Sequence, residues 1–111
     1  MPNALPPLYP ITLQHGLILG AALFAIGVTG ALSKRNAITI LMAIEVMLNG
    51  VVVTFVAFTR HAPTMDLAGQ IFAIFIMTVA AAEAAVGLAI VIAVYRLRHT
   101  VQVDAADSLR G

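Results

Sequence analysis

The chain has 111 residues, 61% of them hydrophobic and only 10% charged, with a net charge of +1. Soluble domains carry about a quarter charged residues to cover a water-facing surface, so this composition is that of a membrane protein. The small net charge offers no basis for a nucleic-acid partner, and the absence of cysteine rules out disulfides, thiolate metal sites and cysteine nucleophiles.

Residues 1–12 include four prolines and are expected to form an extended lead-in. The first apolar segment, about residues 13–32, has no charged side chain. No Lys or Arg precedes it and it is long for a signal-peptide core, so it reads as a retained helix. Within it, Gly16-Leu17-Ile18-Leu19-Gly20 matches the GxxxG pattern, with Gly27 and Gly30 further on. Gly16 and Gly20 are therefore candidates for close helix packing, although the motif also arises by chance in apolar helices. Lys34-Arg35-Asn36 interrupts the run. A second segment, about 38–58, is apolar except for Glu45 and Asn49, and Arg60-His61-Ala62-Pro63 ends it. A third, about 71–95, is apolar except for Glu83, and Arg96-Leu97-Arg98-His99 closes it.

Each segment has the roughly 20 residues an α-helix needs to cross a hydrocarbon core of about 30 Å. Backbone groups in lipid must be bonded within the segment, and the alternation of a membrane β-strand is absent. The prediction is an all-α protein with three transmembrane helices spanning residues 13–99, followed by a polar tail, 100–111. With three crossings, the first loop and the tail share a side that carries Lys34, Arg35, Arg96, Arg98 and Arg110; the other side carries Arg60 alone. The positive-inside rule then places the N-terminus outside (periplasmic) and the C-terminus and tail in the cytoplasm. Tyr9 and Tyr95 fall near opposite interfaces, where amphipathic rings prefer to sit.

His15, His61 and His99 lie far apart near segment ends, so no local metal motif is present. No Gly-rich phosphate loop follows a strand pattern. The chain is expected to bind no metal or cofactor and to catalyse nothing alone.

What remains is two carboxylates in the most apolar stretches. A charged glutamate at mid-helix costs about 2.5–3.5 kcal/mol on insertion scales, part of which it avoids by keeping its proton. Glu45 lies seven residues beyond Ile38 and so roughly 10 Å inside the membrane edge. Glu83 lies twelve residues from Tyr95, about 18 Å from the same edge. Helix boundaries read from sequence shift by a turn, which leaves room for the two to be level. One reading is structural, each carboxyl hydrogen-bonding a neighbouring helix. The other is proton transfer, in which a buried carboxyl both accepts and releases a proton. Asn49, one turn beyond Glu45, could donate to it; nothing on the third helix can pair with Glu83. Lys34 and Arg35 are a topology signal or supporting groups beside a proton path.

Gln14-His15-Gly16-Leu17-Ile18-Leu19, Lys34-Arg35-Asn36, Ile44-Glu45-Val46-Met47-Leu48-Asn49 and Ala80-Ala81-Ala82-Glu83-Ala84-Ala85-Val86-Gly87-Leu88-Ala89 occur in that order. With the ending Val103-Asp104 and Leu109-Arg110-Gly111, they resemble the subunit K (chain 4L) family of proton-pumping NADH–quinone oxidoreductase, respiratory complex I. The resemblance covers roughly residues 13–111. It implies a three-helix subunit of the membrane arm, in the cell's inner (plasma) membrane, bound to other membrane-arm subunits. It assigns the proton path to Glu45 and Glu83, and matches the basic pair of the first loop to Lys34 and Arg35, with Lys where Arg is frequent. Quinone, FMN and iron–sulfur clusters are implied in partner subunits only.

Three alternatives stand beside that reading. A structural adaptor of the same arm would use the glutamates as hydrogen-bonding groups. The small subunit of multisubunit cation/proton antiporters is similar, but its pattern lacks the acidic residue of the third helix, so Glu83 favours complex I. Membrane-bound hydrogenases carry similar subunits as well.

Overall fold

The computed structural model describes residues 10–61, 67–99 and 101–106. Three helices are long and apolar enough to cross a membrane: α1, Leu13–Ser33; α2, Ala37–His61; and α3, Ala68–Arg98. A single turn, α4, Val103–Ala106, follows. The described residues form no strand; one isolated antiparallel bridge joins Asn36 and Gln102. Residues 1–9, most of the proline-rich lead-in with Tyr9, lie outside the described residues, as do residues 107–111 with Arg110.

All three helices outrun their apolar cores by one to three residues at most of their ends. At several of the ends polar groups satisfy the terminal backbone, a cue independent of hydropathy. At the start of α1 the Thr12 N–H donates to Nδ1 of His15 at 3.0 Å, with His15 standing where a capping box has Glu or Gln. At the start of α2 the Asn36 carboxamide oxygen accepts from the N–H groups of Ile38 at 2.9 Å and Thr39 at 3.3 Å. α2 ends on Arg60 and His61, cations suited to a helix C-terminus. α3 ends at His99, whose left-handed backbone (φ 56°) lets its N–H reach the Tyr95 carbonyl at 2.6 Å.

α2 lies in the middle of the row, packed on α1 along one face and on α3 along the other. The α1–α2 seam uses residues 16, 20, 23, 27 and 30 against 43, 47, 50, 54 and 57, a 4-3-4-3 spacing on both helices. That is the spacing of a left-handed, small-angle helix pair. The α1 positions are Gly16, Gly20, Leu23, Gly27 and Gly30; those on α2 are Ala43, Met47, Gly50, Thr54 and Ala57. A Cβ built on Gly50 would stand 2.6 Å from the Gly20 carbonyl oxygen, and one on Gly27 would stand 2.6 Å from that of Ala43. Backbones this close collect dispersion contacts, the main attraction available where the solvent is itself apolar.

Hydroxyls inside the spans bond back to their own helices. Thr29, Thr54, Thr59 and Thr78 each donate to the carbonyl four residues earlier at 2.9 Å. Each therefore sits in an apolar phase without a lost hydrogen bond. Among the described residues the buried hydrophobic ones are alanines, Ala43, Ala57, Ala73 and Ala80, while large residues such as Ile18, Leu32, Phe75 and Leu97 stay more than half exposed. A row of three helices has no enclosed core of its own; its outer faces are for lipid and other chains.

Candidate functional site

The α2–α3 contact carries the two carboxylates. It is pinned near one end by Thr59 against Gly69, where an added Cβ would meet the Thr59 hydroxyl. Nearer the other end Leu41 faces Gly87, whose added Cβ would lie 3.0 Å from Leu41 Cδ1. Between these, the rings of Phe55 and Phe72 stand 6.1 Å apart at 30°. Leu41 to Thr59 and Gly69 to Gly87 are equal lengths of antiparallel helix. Glu45 lies four residues in from Leu41, and Glu83 four residues in from Gly87. The register therefore sets the two carboxylates at one level across the helix pair. Residues four apart share a face, so each lies one turn along its helix from the Leu41–Gly87 contact.

Their surroundings differ. Glu45 is half-buried, and its Oε1 is fully buried with no hydrogen-bond partner among the described residues. Such an oxygen needs a proton, a water or a donor from elsewhere to offset its desolvation. Glu83 is exposed, in an open groove of about 460 Å³ lined by Val79, Ala82, Val86, Gly87 and Ile90. Small residues, Ala80, Ala84 and Gly87, leave space around it. Neither carboxylate has an ion-pair partner among the described residues. Both depend on what lies against this face.

The remaining candidates fall in three places. Asn49 is exposed and makes no hydrogen bond to Glu45 among the described residues, so the same-helix donor is not used. Lys34 and Arg35 are exposed at the end of the row where α2 begins, about 12 Å along α2 from Glu45. Arg35 is held: its Nε lies 3.2 Å from Asp104 Oδ2. Gly16 and Gly20 lie on the α1–α2 seam with Gly27, Gly30 and Gly50. The α1 glycines were recoverable from sequence, since Gly16, Gly20, Gly27 and Gly30 fall on a 4-3-4-3 stripe with Leu23, whereas no local signal pairs Arg35 with Asp104. His61 is the last residue of α2, with Nδ1 2.9 Å from the Ala57 carbonyl oxygen and Nε2 3.0 Å from that of Ile11. It ties the entry of α1 to the exit of α2. The described residues contain no cluster of His, Cys, Asp and Glu able to hold a metal ion.

A multi-pass membrane protein whose span interiors hold two level carboxylates is the class this architecture defines. Comparison with known proteins narrows it. The family model for NADH-ubiquinone/plastoquinone oxidoreductase chain 4L matches residues 15–111. The chain is 54% identical over 102 residues to NADH-quinone oxidoreductase subunit K of Nitrosomonas eutropha, covering 91% of this chain and 99% of the relative. It is 54% identical over 100 residues to subunit K of a Geobacillus species, covering 90% and 96%. It is also 48% identical over 100 residues to NAD(P)H-quinone oxidoreductase subunit 4L of a Synechocystis species, covering 90% and 97%. The chain belongs to the chain 4L family of NADH–quinone oxidoreductase subunits.

Proposed function

We propose that the chain works as a membrane-arm subunit of a proton-pumping NADH–quinone oxidoreductase, and that Glu45 and Glu83 carry protons within it. The observation that supports this most is the register: two carboxylates at one level on adjacent helices, in apolar surroundings, with no counter-ion among the described residues. A permanent charge there is costly, whereas a group that alternates between its neutral and charged forms spends little time uncompensated. Glu45, the more enclosed, takes a proton through water and passes it toward Glu83. Glu83, exposed in its open groove, exchanges it with ionisable groups of an adjoining subunit. Transfer at each step needs hydrogen-bond reach of about 2.6–3.2 Å or one bridging water.

Redox chemistry belongs to partner subunits in this reading. They hold FMN, iron–sulfur clusters and the quinone, while this chain, lacking cysteine, contributes no electron carrier. The chain sits in the cell's inner (plasma) membrane, with Lys34, Arg35 and the tail in the cytoplasm and the N-terminus outside, an orientation that the bias of Lys and Arg supports. Lys34, Arg35 and Asn49 act as supporting polar groups around the path.

The test is redox-driven proton uptake by native membrane vesicles carrying Glu45→Gln, with assembly followed on blue-native gels. Normal assembly with pumping abolished is the expected result; unchanged pumping would remove Glu45 from the path. The α1–α2 seam favours a second reading, that the chain is chiefly a structural adaptor. That version expects Gln to be tolerated at both glutamates while bulky residues at Gly16 and Gly20 prevent assembly.

A further inference from the structure

Beyond α3, residues 101–104 lie back along the first loop. The Ala37 N–H donates to the Val101 carbonyl at 2.8 Å, and the Val103 N–H donates to the Arg35 carbonyl at 3.1 Å. Asn36 and Gln102 form the antiparallel bridge between these two bonds, and Asp104 reaches the Arg35 guanidinium. Val101 is half-buried, and with Val103 it walls an apolar cavity of about 170 Å³ against Ala37, Val91 and Val94.

This strap completes the start of α2. The first N–H groups of a helix have no partner within it. Here Ala37 is served by Val101, and Ile38 and Thr39 by the Asn36 side chain. The strap thus joins the first turn of α2, two turns before Glu45, to the end of α3, beyond Glu83. At the far end of the pair Thr59 meets Gly69 closely. Near the carboxylates Gly87 of α3 meets the flexible end of the Leu41 side chain rather than backbone. The strap supplies the second fixed point of the register.

We propose that Asp104 is a positioning residue for proton transfer: through Arg35 it holds the C-terminal strap on the first loop, and the strap holds Glu83 level with Glu45. This rests on the reading that the glutamates carry protons. The ion pair is solvent-exposed, with side-chain exposures of 78% and 60%. An exposed pair shifts an equilibrium by no more than about five-fold. Asp104 therefore tunes how often the strap is seated, and the backbone bonds define where.

The experiment uses the assembled complex in native membrane vesicles and has two arms. In the first, Asn36→Cys and Gln102→Cys are combined in this cysteine-free chain and oxidised. Directly opposed residues of an antiparallel pair have Cα atoms about 4.5–5.5 Å apart, inside the disulfide range of about 4.4–6.8 Å. An intrachain disulfide is expected, and its failure to form overturns the strap.

In the second arm, protons moved per NADH oxidised are measured for Asp104→Ala, Asp104→Glu, and Asp104→Ala carrying the disulfide. The expected result is a loss of up to about five-fold for Asp104→Ala, with assembly and NADH–quinone turnover retained. Asp104→Glu and the disulfide should each recover most of it, which a merely structural role would not do. Should Asp104→Ala fail to assemble, Asp104→Asn carries the same comparison. Pumping equal to the parent in the Asp104 variants overturns the proposal when Glu45→Gln, run alongside, is blocked. Normal pumping by Glu45→Gln would instead fell the reading on which the proposal rests.

Discussion

The two helix contacts of this protein are built on different principles. Along α1–α2, glycine meets backbone: Gly50 approaches the Gly20 carbonyl, and Gly27 approaches that of Ala43, over four helical turns without a charged side chain between them. Along α2–α3, Gly69 and Gly87 meet side chains, the Thr59 hydroxyl and the end of Leu41, with the Phe55–Phe72 ring pair and both carboxylates in between. Rigid packing and ionisable groups are thus kept on opposite faces of α2. A seam of touching backbones excludes the water and the rotamer freedom that a proton carrier needs, whereas a contact spaced by side chains has room for both.

The sharpest way to break that contrast is to enlarge the α1–α2 seam. Gly27→Leu would drive a side chain into Met47 and the Ala43 carbonyl, which cannot yield without separating the helices. Overpacking typically costs about 1–3 kcal/mol and more against backbone. Loss of the complex from blue-native gels is expected. Next comes Glu83→Gln set beside Glu45→Gln. Both should assemble, because Gln preserves shape, and both should lose pumping; loss for Glu45 alone would restrict the path to the more enclosed carboxyl.

Smaller effects sharpen the comparison at its edges. Asn36→Ala removes the side-chain acceptor for the Ile38 and Thr39 N–H groups and should destabilise the start of α2 by about 1 kcal/mol. Faster proteolysis of the first loop in the assembled complex would report it. Smallest is Gly87→Ala, whose Cβ would press only on the mobile end of Leu41. Assembly within the parent's range is expected, and a collapse as severe as Gly27→Leu would mean that α2–α3 is as tightly built as α1–α2.

Much of the candidate site was legible early because its signals are local. Two glutamates within apolar runs stand out in any composition scan, and the basic clusters mark where the runs end. The start of α1 near residue 13 was legible, while that of α2 depends on hydrogen bonds from the Ile38 and Thr39 N–H groups to Asn36 rather than on hydropathy. The donor role open to Asn49 is unused because its side chain stays on the exposed face of α2. The difference between a half-buried Glu45 and an open Glu83 was invisible, since it depends on which helix each one turns toward.

The amino-acid sequence alone determined that this chain occupies a membrane as three helices and that its spans carry two carboxylates. Partition into lipid and internal hydrogen bonding depend on roughly 20 consecutive residues at a time. Only the tertiary structure decided that the carboxylates are level, that the glycines of α1 meet α2 on the face turned away from α3, and that Asp104 holds Arg35. Each of these depends on register between segments distant along the chain. Register is set by where small residues let two helices approach and where a returning strand finds unpaired backbone groups, a property of helix pairs that neither segment carries by itself.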